Sequence, residues 1–258
     1  MPKLHQHFDS TIALANWTSD KLIKGHNYAG YISATSVNHG IESLRICREQ
    51  YVDKARVLLA KFTESIEVRQ QVWSHSVAGY FPDVPAYLAG DPENMFVREF
   101  MRSDQTPLHC YIGVSVISNT LLGEMITRGI ALSSFAMAMI QRRPVIITPF
   151  VDLGGPGGEG AVISWDISTQ PLVLGELLTS MIAPEVTRDL GIFACYALNP
   201  KVTGHIDPDS NYEDRMRIRL NAKPQDLYLQ CVNSYNDPII DDPIEWIKQQ
   251  TARYGEDE

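Results

Sequence analysis

Residues 118–167, SNTLLGEMITRGIALSSFAMAMIQRRPVIITPFVDLGGPGGEGAVISWDI, decide the fold. Ser118 or Asn119 can cap a helix, and the apolar run carries it to about Arg142, where Pro144 forbids continuation. Gly129, Ala131, Ala136 and Ala138 keep one side of that helix small, for close packing on a sheet or a second helix. Val145–Val151 and Ala161–Ile167 then predict the two arms of a hairpin around the glycine-rich connection Leu153–Gly160. A helix followed by paired strands is the grammar of an α+β domain.

Downstream, helices are expected over about 171–181 and 184–190, then a buried strand at Ile192–Leu198. Strands at Arg215–Leu220 and Asp226–Val232 and a last helix near Pro243–Tyr254 follow. Upstream, Met95–Met101 and His109–Ile117 predict a hairpin closed by Ser103–Pro107. Ile41, Leu44, Tyr51, Ala55, Leu58, Leu59, Phe62 and Ile66 recur at helical spacing, and residues 1–40 show no sustained period. The expected fold is α+β, a mixed, largely antiparallel sheet with long helices packed on one side. The expected organisation is an irregular amino-terminal arm (1–40), an α+β core (41–235) and an acidic carboxy-terminal helix and tip (236–258).

The chain has 258 residues, 44% hydrophobic and 21% charged, which excludes wholesale disorder. Its start lacks a basic region before an apolar run, and Gly129–Ile140 is too short to span a bilayer, so a cytoplasmic protein with no membrane contact is expected. The scattered cysteines Cys47, Cys110, Cys195 and Cys231 read as reduced core residues rather than zinc ligands. The net charge is −9, of which −5 falls in residues 236–258, leaving room for a local basic surface elsewhere.

Most chemical motifs fail on inspection. The glycine loop runs into a strand instead of the helix and Lys-Ser/Thr that a phosphate loop requires. Asp207–Asn211 imitates a calcium loop, but Tyr212 stands where glycine is needed and Ile218 where a bidentate Glu belongs. No Gly-x-Ser-x-Gly elbow or His-Glu-x-x-His pair occurs, so no catalytic residue, metal site or cofactor is expected.

The informative stretches are two. Read as a strand, Arg215, Arg217 and Arg219 share one face at spacings of about 6.5–7 Å, comparable with the phosphates of an extended strand. The competing reading is an outer face whose arginines pair with Glu213 or Asp226. In the other stretch Phe96, Arg98, Phe100 and Arg102 alternate rings with cations, as a stacking platform for unpaired bases requires. The alternative points Phe96 and Phe100 into the core. Tyr228 would extend the surface if the strands are neighbours.

The segment Ser76–Met95, with Arg128-Gly-Ile-Ala, its helix and Pro144-Val-Ile-Ile, resembles a family of bacteriophage and mobile-element proteins over about residues 73–152. Within that resemblance the nearest functional association is with the Drc single-stranded-DNA-binding transcription regulators of podoviruses that carry a giant virion RNA polymerase. The resemblance implies a homo-oligomer that coats single-stranded DNA and has a phage RNA polymerase as a partner. It transfers no individual binding residue. The expected function is non-catalytic single-stranded DNA binding. A structural or scaffolding protein of a viral assembly and a nucleic-acid- or nucleotide-processing enzyme with no visible motif are the alternatives.

Overall fold

A computed structural model describes residues 4–24, 32–46, 51–53, 73–77, 81–82, 84–98, 107–115, 121–140, 142–154, 160–167, 169, 172–203, 212–231 and 237–255. The chain forms two compact units, Met1–Ser65 with Pro107–Glu258, and Ile66–Thr106. It is a mixed α+β protein. Among the described residues no helix is long and apolar enough to cross a membrane.

The main unit begins with strand β1 (Leu4–Phe8), helix α1 (Thr11–Ile23) and helix α2 (Ala34–Ile46), where an irregular arm was expected. Ser10 caps α1 by accepting the Ala13 N–H at 3.2 Å. In the second unit lie β2 (Trp73–Ser76), β3 (Phe81–Pro82), a short helix α3 (Val84–Leu88) and β4 (Met95–Arg98). The main unit resumes with β5 (Leu108–Gly113), α4 (Leu122–Ile140), β6 (Val145–Gly154), β7 (Gly160–Trp165) and α5 (Leu174–Ile182). A π-helix (Glu185–Leu190), α6 (Gly191–Leu198), α7 (Tyr212–Leu220), β8 (Leu227–Leu229), α8 (Pro238–Asp241) and α9 (Pro243–Gly255) complete it.

The main sheet runs β1-β7-β6-β5-β8. The β6–β7 hairpin is antiparallel, as its sequence predicts; β1–β7, β5–β6 and β5–β8 are parallel. The sheet is therefore largely parallel, not largely antiparallel. The expected hairpin of Met95–Met101 with His109–Ile117 does not form, because β4 pairs with β2 and β3, leaving β5 to pair with β6 and β8. The link from β5 to β6 is the helix α4, and a crossover helix imposes a parallel pair. Both central strands are buried along nearly their whole length, which is why VIITPFV and AVISW read as continuous apolar runs.

Helices cover both faces of the sheet, not one. On the Val151 face, Gly191 of α6 lies close to Val151, and the Trp165 indole N–H donates to Ser180 of α5 at 3.4 Å. A Cβ on Gly129 of α4 would overlap Ile182 of α5, so the small side of α4 is where the two helices meet. On the other face Phe150, Val162 and Tyr228 are covered by Tyr212, Met216 and Leu220 of α7.

Two expected strands are helices. Ile192–Leu198 lies in α6, since a short apolar run does not by itself separate a buried helix from a buried strand. Arg215–Leu220 lies in α7, where Tyr212, Met216 and Leu220 recur every four residues and are buried while Ile218 is 80% exposed. Alternation needs Ile218 inside; the helix puts it out. Glu213 and Asp214 in the first turn and Arg217 and Arg219 in the last suit the helix dipole. The strand expected over Asp226–Val232 is present as the three-residue β8.

Candidate nucleic-acid interface

The second unit is a three-stranded antiparallel sheet in the order β2-β4-β3. Its register sets Phe96 opposite His75 of β2 on one side and Phe81 of β3 on the other. Arg98, two residues along β4, stands opposite Trp73. Directly opposed residues of an antiparallel pair share a face, and so do positions i and i+2 of one strand. Trp73, His75, Phe81, Phe96 and Arg98 thus belong to one face by backbone register. The remaining two residues of that expected stretch, Phe100 and Arg102, lie outside the described residues.

The arginines of α7 are arranged otherwise than expected. On a helix, positions two apart point about 200° from one another, so Arg217 leaves the side that Arg215 and Arg219 share. Arg217 donates from Nε to Glu213 Oε1 at 2.7 Å, and from Nη1 to the carbonyls of Lys223 and Asp226 at 3.3 and 3.4 Å. Its guanidinium lies 5.1 Å over the Tyr228 ring, which stacks on Phe150 at 5.8 Å and 20° between planes. Tyr228 is only 7% exposed, so it offers no ring to a base. Arg219 is half-buried, donating to Met216 Sδ at 3.3 Å, and burial pulls its pKa down. The arginine stripe dissolves.

A polar network on the main sheet had no signature beyond His5-x-His7. His5 Nε2 and His7 Nδ1 both meet Ser164 Oγ, at 2.8 and 3.0 Å. His7 Nε2 stands 3.4 Å from Asp166 Oδ2, and Thr148 Oγ1 donates to Asp166 Oδ1 at 2.6 Å. Burial, His7 and Arg219 together lower the pKa of His5. The grouping imitates a Ser-His-Asp triad, yet Ser164 is 0% exposed beneath both rings, where no substrate carbonyl can reach its hydroxyl. Farther along the same face the His109 and Tyr111 rings stack at 6.1 Å and 18°.

At the carboxyl ends of β5 and β8 sits Arg128 of α4, 4% exposed. Its Nε donates to Asp237 Oδ2 at 2.9 Å, Nη1 to Gly113 O at 3.0 Å and Nη2 to Gln230 O at 2.8 Å. Asp237 also caps α8, its Oδ1 accepting the Ile239 N–H at 3.0 Å. An open cleft of about 210 Å³ begins at this pair. Partners 109 residues apart leave no mark in a linear pattern, so only Arg128 as a lone cation within an apolar helix hinted at it.

Among the described residues no three His, Cys, Asp or Glu side chains are grouped to hold a metal ion. No curated protein and no solved structure matches the chain. A family model described as a domain of unknown function (DUF7192) matches residues 41–257, from the middle of α2 to beyond α9, and the chain belongs to that family.

Proposed function

We propose that this protein binds unpaired nucleic acid, single-stranded DNA in the first instance, without catalysing a reaction on it. The reading is carried by one observation: in one three-stranded sheet Phe96 is in register with His75 on one neighbouring strand and Phe81 on the other, and Arg98 is in register with Trp73. Aromatic residues and a cation at such register positions are the residue types by which sheets bind unpaired bases and their phosphates. The burial of Ser164 favours a non-catalytic role, since the hydroxyl of the Ser-His-Asp grouping is sealed. A setting in phage transcription, with an oligomer coating the strand and a phage RNA polymerase as partner, rests on the resemblance of residues 73–152.

Fluorescence anisotropy against matched single- and double-stranded oligonucleotides over a salt series tests the proposal. The single strand is expected to bind more tightly, with a logarithmic salt slope of about 0.7 per phosphate neutralised. Phe96→Leu should weaken binding about tenfold or more with the slope unchanged, because base–ring stacking contributes about 1–3 kcal/mol per base. Arg98→Gln should lower the slope by about 0.7, and Arg217→Gln should change neither. No preference for the single strand, or Phe96→Leu binding like the parent, refutes the reading.

A further inference from the structure

Strand β1 forms one edge of the main sheet, and among the described residues it pairs with β7 alone. Along a strand the backbone N–H and C=O of successive residues turn to alternate sides, so one bond fixes the side for all of them. The Phe8 carbonyl accepts the Asp166 N–H at 3.0 Å, so Phe8, Gln6 and Leu4 turn their backbone groups towards β7. Those of His5 and His7 point away from the sheet. Consistent with this, the side-chain amide of Gln6 donates to the His7 carbonyl at 3.0 Å in an exposed bond.

Proteins blunt such edges with lysine, proline or a bulge. LHQHF carries neither lysine nor proline, and its five residues pair with Ala161–Trp165 one for one, without a bulge. The edge is not covered either. Leu4 is 45% exposed, and His5 and His7 are exposed as well. Two donors and two acceptors are thus held in line on an open edge, at positions symmetric about Gln6.

That symmetry selects the occupant. In an antiparallel pair, opposed residues alternate between those that exchange two backbone hydrogen bonds and those that make none. Laid against a copy of itself about a two-fold axis at Gln6, β1 sets His5 opposite His7 of the second copy and His7 opposite its His5. Both pairs have their backbone groups turned outward, so they make four hydrogen bonds between the strands. Gln6 meets its own counterpart on the axis in a non-bonding pair, as its inward-turned backbone requires. The Gln6 amide cedes the His7 carbonyl to a backbone N–H, one hydrogen bond in exchange for another. Any extended peptide can meet an open edge. A second copy is favoured because the side chains complement themselves: Leu4 lies opposite Phe8, and no acidic or basic carboxylate or ammonium group stands on the strand.

We infer that β1 is a self-association edge, at which two copies of this chain pair antiparallel about Gln6 and join their five-stranded sheets into one. Such an interface uses the same surface on both copies and closes at the dimer. The inference stands apart from nucleic-acid binding, which is assigned to the second unit and is not needed for the pairing.

Sedimentation velocity of the full chain without nucleic acid, over about 1–100 µM, tests it. A concentration-dependent shift from monomer to dimer is expected. Position 6 is the one place on β1 where a residue meets itself, so a charge there reads the register. Gln6→Lys and Gln6→Glu, each alone, set like charges together on the axis and are expected to raise the dimer Kd about fivefold. An equimolar mixture of the two is expected to dimerise at least as tightly as the parent, which also shows that both variants fold. A parent that stays monomeric over that range, a Gln6→Lys variant that dimerises like the parent, or a mixture no tighter than its components overturns the assignment. Phe96→Leu is expected to dimerise like the parent, which keeps the two proposals distinguishable.

Discussion

Replacing Asp237 with Asn leaves the Arg128 guanidinium buried without the negative charge that faces it. The two side chains are 5% and 9% exposed and meet at 2.9 Å, so water does little to compensate. Removing one partner of a buried pair costs about 3–5 kcal/mol. Asn keeps an oxygen for the Ile239 N–H and Arg128 keeps the carbonyls of Gly113 and Gln230, so the lower end, about 3 kcal/mol, is expected. Arg128→Met is expected to cost more, about 4–5 kcal/mol, because it orphans those two carbonyls and strands a carboxylate. In the Arg128→Met background the sign reverses. There Asp237→Asn removes the stranded charge and should restore about 1–2 kcal/mol. Urea unfolding of the parent, both single variants and the double variant reads all four values. A cost below about 1 kcal/mol for Asp237→Asn, or additive effects in the double variant, refutes the account of Arg128 as a charge that depends on Asp237.

Ile218→Lys should change stability by less than about 0.5 kcal/mol while Met216→Ala costs about 2–5 kcal/mol, because only Met216 is buried; comparable costs at both positions in chemical denaturation would restore the strand. His5 carries a pH dependence whose sign follows from its lowered pKa. Above about pH 6.5 the ring is neutral in folded and unfolded chains alike, and its contribution is fully present. As pH falls below that value the unfolded ring takes up a proton first, so stability declines until the folded ring protonates too. His5→Gln should flatten that part of a pH–stability curve followed by thermal unfolding, and an unchanged curve would show that His5 is not its source.

The parts of this fold that are legible from sequence are those whose signals are local. Val145–Val151 and Ala161–Ile167 flank a glycine-rich break, and the hairpin forms there. Pro243–Gly255 begins at a proline suited to a first helical turn and forms α9. The failures come where two periods coincide. Met216 and Leu220 fit spacings of two and of four, and Ile218 alone separates them. Leu4–Phe8 gave no strand signal because LHQHF is an edge strand whose alternate residues are two histidines, and its partner lies far along the chain. Of the candidate site, Phe96 and Arg98 were legible because both sit on one short strand. Their neighbours Trp73, His75 and Phe81 were not, since cross-strand rows exist only once register is set. Tyr228 and Arg217 failed for a related reason: the cation and ring expected to face solvent face each other.

The order of the main sheet has a consequence for synthesis. His5 and Ser164 are separated by 159 residues, yet β1 pairs with β7 and both histidines of β1 rest on that serine. A ribosome releasing about 5–20 residues per second completes the second unit, contiguous over Ile66–Thr106, well before β7 emerges. Through that interval β1 has no strand to pair with, and closure over such a separation is intrinsically slow. Until Ser164 leaves the exit tunnel, β1 waits without the strand that it pairs with in the folded sheet.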